Sequence, residues 1–139
     1  MDTNMTPYAA GLSNFVNLDK GDFIGRDALA SAEKGRRLMG LTCATTTPGA
    51  GNNVRDGNKA VARIKMGVTS PTLGLGIGYV YFDTPGDWIG RELTLEDANG
   101  KIYAASIVDV PFFDPERKIV RGIDRTIPPG PTNPPGPAK

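Results

Sequence analysis

Glu92-Leu93-Thr94-Leu95-Glu96-Asp97-Ala98-Asn99-Gly100-Lys101-Ile102-Tyr103-Ala104-Ala105-Ser106-Ile107-Val108 is the stretch whose reading decides the fold. Residues 92–97 alternate polar and apolar, the period of two that sends successive side chains to opposite faces of a β-strand. Asn99-Gly100 follows, a dipeptide that accepts positive φ at little cost and so turns a tight hairpin. The return arm, 101–108, is rich in β-branched and aromatic residues. Working outward, Asn53-Val54-Arg55, a turn at Asp56-Gly57, and Ala60-Val61-Ala62-Arg63-Ile64 read as a second hairpin. Ile77-Gly78-Tyr79-Val80-Tyr81-Phe82 reads as a strand, and residues 37–44 alternate imperfectly in the same sense. Short strands with closely spaced turns predict a mainly β fold, a small antiparallel barrel of about six strands.

The flanks differ in kind. Residues 1–17 have no sustained period and read as an irregular segment packed on something, with Tyr8, Phe15 and Val16 left partly exposed. Arg26 to Lys34 is the one good helix candidate. Ala28, Leu29 and Ala32 form its stripe, Asp27 suits its first turn, and Gly35 is placed to end it. The segment from Pro128 to Lys139 holds six of the 12 prolines and predicts an extended tail without a core. The division expected is therefore 1–35, a barrel over 36–122, and a Pro-rich tail over 123–139.

Composition narrows the chemistry. The 139 residues contain 16 Lys and Arg against 15 Asp and Glu, a net charge of +1, which gives no electrostatic case for nucleic acid or an anionic membrane surface. There is no His, hence no imidazole base, no Ser-His or Cys-His nucleophile and no His-bearing zinc site. The lone Cys43 lies in an apolar strand pattern and reads as a buried structural thiol. One cysteine, no apolar run of membrane length and no leader-like start together predict a cytoplasmic protein. Leu73-Gly74-Leu75-Gly76-Ile77-Gly78 superficially suggests a phosphate cradle. Its spacing is wrong, a strand follows it rather than a helix, and no lysine comes after, so it reads as a loop leading into a strand. The densest cationic spot is Arg36-Arg37 beside Lys34, open to two readings: ordinary end-of-element charges, or a seat for an anionic ligand tail.

Several motifs carry a resemblance. Thr6-Pro7-Tyr8-Ala9-Ala10-Gly11-Leu12 leads into Leu18-Asp19-Lys20-Gly21-Asp22-Phe23-Ile24-Gly25-Arg26-Asp27-Ala28-Leu29. Arg36-Arg37-Leu38-Met39-Gly40-Leu41, Ser70-Pro71-Thr72-Leu73-Gly74 with Ile77-Gly78-Tyr79-Val80, and Val110-Pro111-Phe112-Phe113-Asp114-Pro115 follow in order. Together they resemble the last third of the glycine-cleavage T-protein (aminomethyltransferase) family. The Pro-Phe-Phe-Asp-Pro ending is similar to the branch that includes dimethylglycine and sarcosine dehydrogenases and sulfoniopropionate demethylase.

The resemblance implies a tetrahydrofolate-dependent one-carbon transferase. In it, residues 1–35 would close a folate-binding middle domain and the barrel would form one wall of the folate channel. It implies no catalytic residue here, because the family's catalytic Asp lies in an earlier segment, and no metal. The chain would then be inactive alone and need an N-terminal catalytic region, in the same or a separate chain, with self-association through exposed apolar surface as a further expectation. By position, Lys20, Arg26, Arg36 and Arg37 are the candidates for a basic edge facing the folate glutamate tail. Two positions depart from the pattern. Ala9 stands where the family usually has Glu, and Lys65-Met66 replace a Thr-Ser pair. A free-standing, non-catalytic β-barrel interaction module is the alternative these departures leave open.

Overall fold

The computed structural model describes residues 5–35 and 37–126. Six strands, β1 (Met39–Cys43), β2 (Asn53–Asp56), β3 (Lys59–Ser70), β4 (Leu75–Phe82), β5 (Glu92–Glu96) and β6 (Ile102–Val108), close into an antiparallel barrel in the order β1-β4-β3-β2-β5-β6. The predicted hairpin is present as read, with Leu93 opposite Ala105 and Leu95 opposite Tyr103. Its alternation now has a cause: Leu93, Leu95, Ala105 and Ile107 point inward and are buried, while their neighbours face out. Met39, Leu41, Cys43, Val54, Ile64, Val80 and Phe82 complete most of the interior from the other strands. Cys43 is buried and unpaired, as its strand context required.

Two register shifts explain where strand boundaries depart from the sequence pattern. One, at Val54/Arg55, lets the consecutive residues Val61 and Ala62 both face inward. The other lies between Ile64 and Met66 and leaves Lys65 without an opposite residue on β4. Such a bulge bends a strand and shifts its alternation by one residue. The strand predicted to end at Ile64 therefore continues to Ser70, with Met66 and Val68 exposed on the outer face. The β2–β3 hairpin turns one residue later than read, at Gly57-Asn58, since Asp56 still pairs with Lys59 and Gly57 carries the positive φ of 56°.

The Gly-rich stretch proves to be a packing device. Gly76 and Gly78 are buried on β4 and lie close to Gly67 of β3, and together they leave room for the loop after β1. Pro48 of that loop is fully buried against them. A Cβ on Gly76 would stand 2.1 Å from the Thr46 carbonyl oxygen, and one on Gly67 2.2 Å from that of Pro48. One end of the barrel is thus filled by a backbone segment that only glycine admits.

The helix is shorter than expected. It spans Arg26–Ser31, and Ala32 is already extended at ψ 145°. The Ser31 hydroxyl donates to the carbonyls of Asp27 (2.9 Å) and Ala28 (3.3 Å), the side-chain competition that weakens helix continuation. Gly35 consequently plays no part in ending it. No residue of the helix is buried, and it packs on none of the strands. The Pro-rich segment from Pro128 lies outside the described residues.

Gly76→Ala is expected to lower stability by about 1–3 kcal/mol, the usual range for an overpacked interior. Leu95→Ala should lower it by about 2–5 kcal/mol through cavity formation. Urea denaturation followed by far-UV circular dichroism checks both. Native-like stability of the Gly76→Ala protein would show that the Thr46–Pro48 loop does not depend on the glycine face.

Candidate functional site

The barrel interior is apolar throughout, with no buried polar or charged side chain among the described residues. Chemistry must therefore be sought on the outside. Three regions carry it.

The first is the junction where β1 begins. The Leu38 amide donates to the Ala9 carbonyl at 2.8 Å, and Ala9 is buried, which ties the irregular N-terminal segment to the barrel. A glutamate in place of Ala9 would have to bury its carboxylate there. Beside this tie, Arg37 Nη1 donates to Asp109 Oδ1 at 2.9 Å, joining the start of β1 to the end of β6. Asp109 also accepts from the Val110 amide at 2.9 Å. That amide first, and the Arg37 guanidinium second, hold the Asp109 carboxyl below its ordinary value. The chain after Asp109 folds back over the outer face. Phe112 covers Gly40, where a Cβ would lie 2.6 Å from its ring, and meets Tyr79 at a centroid distance of 5.5 Å.

The second region is the β4–β5 loop. Trp88 stacks on Phe82 with centroids 4.4 Å apart and planes 8° from parallel. The Arg91 guanidinium carbon lies 4.8 Å from the Trp88 ring centre. Arg37, Met39, Phe82, Thr84 and Trp88 line one narrow crevice. The third region is a polar depression between the loop after β1 and the β5–β6 turn. Arg55 donates to Glu96 at 2.8 Å and Asn53 does so at 3.1 Å, and these bonds, in that order, lower the Glu96 pKa. Asp97 accepts from the Lys101 and Asn99 amides and the Tyr103 hydroxyl, which lowers its pKa too. Every carboxylate there is occupied by the protein itself. That depression holds a turn together and offers no free ligand group; among the described residues no cluster of three acidic or cysteine side chains could hold a metal ion.

The four residues singled out from sequence fare differently. Lys20 places its ammonium 4.5 Å from the Phe23 ring centre. Arg26 Nε donates to the Leu18 carbonyl at 3.1 Å, and the residue lines a shallow depression together with Asp19 and Asp22. Arg37 lines the separate Trp88 crevice. Arg36 lies outside the described residues. Arg26 and Arg37 thus stand at different depressions, and two carboxylates offset the first. Trp88, Arg91 and the pairing of Asp109 with Arg37 are what sequence reading missed. Arg37 and Asp109 stand 72 positions apart, so only topology brings them together. The short spacing of Trp88 and Arg91 was the one local signal available.

A closed antiparallel barrel with a filled core, all of its polar chemistry outside, defines a domain that acts through its surface. Comparisons with known proteins agree on which. Residues 36–114 match the glycine cleavage T-protein C-terminal barrel domain. The chain is 37% identical over 123 residues to an aminomethyltransferase of a Nostoc species, covering 85% of this chain and 32% of that protein. It is 38% identical over 117 residues to an aminomethyltransferase of Cutibacterium acnes, covering 81% and 31% respectively. Among solved structures, the glycine cleavage system aminomethyltransferase T from Bartonella henselae superimposes with a TM-score of 0.67 at 26% identity, over 78% of this chain and 32% of that one. The chain belongs to the glycine cleavage T-protein family, and it spans about a third of the length of the relatives it matches.

The Arg37–Asp109 pair sets a pH dependence with a definite sign. A carboxyl whose folded pKa is depressed adds stability above its unfolded pKa, near pH 4, and loses it as pH falls through the folded value. Both partners are partly exposed, so the effect is modest. Asp109→Asn is expected to melt below the parent chain at pH 7, with the two melting temperatures converging toward pH 2. A difference that stays constant with pH would detach the pair from barrel stability.

Proposed function

We propose that this chain is the C-terminal part of a tetrahydrofolate-dependent aminomethyltransferase or demethylase, acting in the cytoplasm. The barrel forms one wall of the folate channel, and catalysis depends on the remaining two-thirds of the enzyme, supplied by the same or another polypeptide. One observation carries the dependence: within residues 12–31 neither the Ser13–Phe15 turn nor the helix buries a residue or packs on the strands. Ile24 and Phe15 are 105% and 85% exposed, and the six-residue helix buries nothing. A helix that short is not stable on propensity alone. Exposed apolar groups gathered in one segment mark a surface made to be covered. The cover in this reading is the region that precedes the C-terminal barrel; that the chain spans about a third of its relatives' length supports it.

The described residues fit a folate ligand in part. A filled barrel leaves no room for a pterin ring inside it. The cationic groups at its surface suit the carboxylates of a ligand tail, since a guanidinium grips a carboxylate through paired hydrogen bonds. Holding the pterin and supplying the acid–base group fall to the rest of the enzyme. Tetrahydrofolate, when bound, accepts the one-carbon unit.

A second reading, a free-standing interaction module without catalysis, is favoured by one feature. The barrel core is complete by itself, while the Lys65-Met66 departure falls on the β3 bulge and turns Met66 outward at 64% exposure.

Mixing the chain with the Nostoc aminomethyltransferase lacking its own C-terminal third separates the two. Association on a sizing column, with tetrahydrofolate-dependent transfer that neither piece shows alone, is the expected result. Ile24→Ser with Phe15→Ser should weaken that association by at least about tenfold, as loss of two buried apolar anchors implies. In the assembled pair, tetrahydrofolate at a hundredfold excess over its dissociation constant should stabilise by about 2.7 kcal/mol. A monomeric chain that neither associates nor responds would establish the second reading.

A further inference from the structure

Residues 109–126, after the last strand, are tied together by hydrogen bonds although none of them is buried. Asp114 organises the turn. Its carboxylate accepts from the Lys118 amide at 2.7 Å and the Ile119 amide at 2.9 Å, and its carbonyl accepts from the Arg117 amide at 2.8 Å. The Lys118 carbonyl in turn accepts from the amides of Ile123 at 2.8 Å and Asp124 at 3.1 Å. These bonds fix an open, mostly apolar groove of about 460 Å³, lined by Pro111, Phe113, Asp114, Arg117, Ile119 and Val120. Phe113 is 44% exposed and Val120 79%, with Ile123 at 61% a few residues on. Apolar groups gathered on one fixed surface call for an occupant. Where the chain leaves the turn says which. The Thr126 amide donates to Asp124 Oδ1 at 2.8 Å, and Asp124 is itself held to Lys118, between Arg117 and Ile119 of the groove. Three residues reach at most about 11 Å, so residue 127 starts beside the groove. Residues 127–139 follow, opening with Ile127-Pro128-Pro129-Gly130-Pro131 and carrying no charged side chain before Lys139.

We propose that this groove is the docking site of the chain's own proline-rich segment, residues 127–131, with Pro128 and Pro129 against Phe113 and Val120. Proline suits the role because its φ is fixed beforehand, so little freedom is lost when it settles on an apolar surface. At about 3.1 Å per residue, five extended residues cover roughly 15 Å. An extended proline segment makes no internal hydrogen bonds and leaves its carbonyls free to accept. Arg117, which makes no ion pair among the described residues, offers guanidinium donors for one of them at the groove's edge. An occupant on a short tether also needs little intrinsic affinity, since tethering sets an effective concentration in the millimolar range. A second copy of the chain, or the rest of the enzyme, would have to displace it. Docking requires neither tetrahydrofolate nor the transfer reaction, so it stands or falls apart from the function proposed above.

Nuclear magnetic resonance of the full, isotope-labelled chain tests this, with the Gly130 amide, set between Pro129 and Pro131, as the reporter. Cross-relaxation peaks are expected from the Pro128 and Pro129 ring protons to the Phe113 ring and the Val120 methyls. The heteronuclear relaxation of Gly130 should show restricted fast motion, close to that of the barrel strands. Val120→Ser should abolish the cross-peaks and bring Gly130 to the mobility it has in a synthetic peptide of residues 127–139. Val120 is largely exposed and outside the barrel core, so the amide shifts of the strands should not move. Pro128→Ser with Pro129→Ser leaves the groove intact and should free Gly130 in the same way. Met66→Ser, exposed on β3 and not lining the groove, is the control and should match the parent. A parent Gly130 as mobile as in the peptide, cross-peaks that survive Val120→Ser, or an equal loss in Met66→Ser would each overturn the docking. Cross-peaks between differently labelled copies in a mixed sample would assign the segment to a second copy's groove. Weaker association of the assembled pair on Val120→Ser, with Gly130 mobile throughout, would assign the groove to the rest of the enzyme. Either result also overturns the proposal.

Discussion

The approach of the Thr46–Pro48 backbone to Gly67, Gly76 and Gly78 is the contact on which the rest of the barrel depends. Carbonyl oxygens stand where side chains would otherwise be, so the inner face of β3 and β4 at that end has no side-chain volume of its own. Pro48 supplies it, fully buried. The loop that crosses from β1 to β2 therefore serves as both connection and plug. It links two strands that do not pair with each other in the closed order β1-β4-β3-β2-β5-β6. A phosphate cradle uses glycine so that a ligand can come close; here the close partner is the protein's own chain. The same residue type answers the same steric demand with a different occupant.

Much of this was legible because most of the barrel is local. The β5–β6 and β2–β3 hairpins are set by alternation and by turns a few residues long, and both are present, the second turning one residue later than its sequence reads. Legibility fails where one residue is out of step. Lys65 is the extra residue of a bulge, so the pattern after Ile64 reads as interrupted although the strand runs on to Ser70. It fails again where a side chain competes with the backbone, as at Ser31, which shortens a helix that composition alone would extend to Lys34. Neither effect is visible in a count of apolar positions.

The surface was less legible than the core for a related reason. Burial leaves a periodic trace in sequence, whereas a charge takes its meaning from what topology sets beside it. Arg26 and Arg37 look alike as members of basic stretches. One lines a depression with Asp19 and Asp22, and the other joins the barrel's first strand to the end of its last. Arg91 drew no notice in sequence because what distinguishes it is a contact with Trp88. The family motifs placed the chain correctly, since they record local backbone requirements such as Gly40 beneath Phe112. They could not rank the cations.

The two parts of the chain differ in self-sufficiency, and that difference bears on mechanism. Residues 39–108 bury their apolar side chains within a closed barrel, so they have no need of a partner for their core. Residues 12–31 leave Phe15 and Ile24 in water, and neither the turn at Ser13–Phe15 nor the helix packs on the strands. A polypeptide that costs conformational entropy to order and returns little burial is held by what covers it. If the cover is the catalytic region, then its docking and the ordering of this segment are one event. In that case the barrel would bring a rigid wall to that event, and the segment before it the adhesive. Geometry good enough for group transfer would then exist only in the assembled enzyme, because the reacting groups must be held in position to well under an ångström.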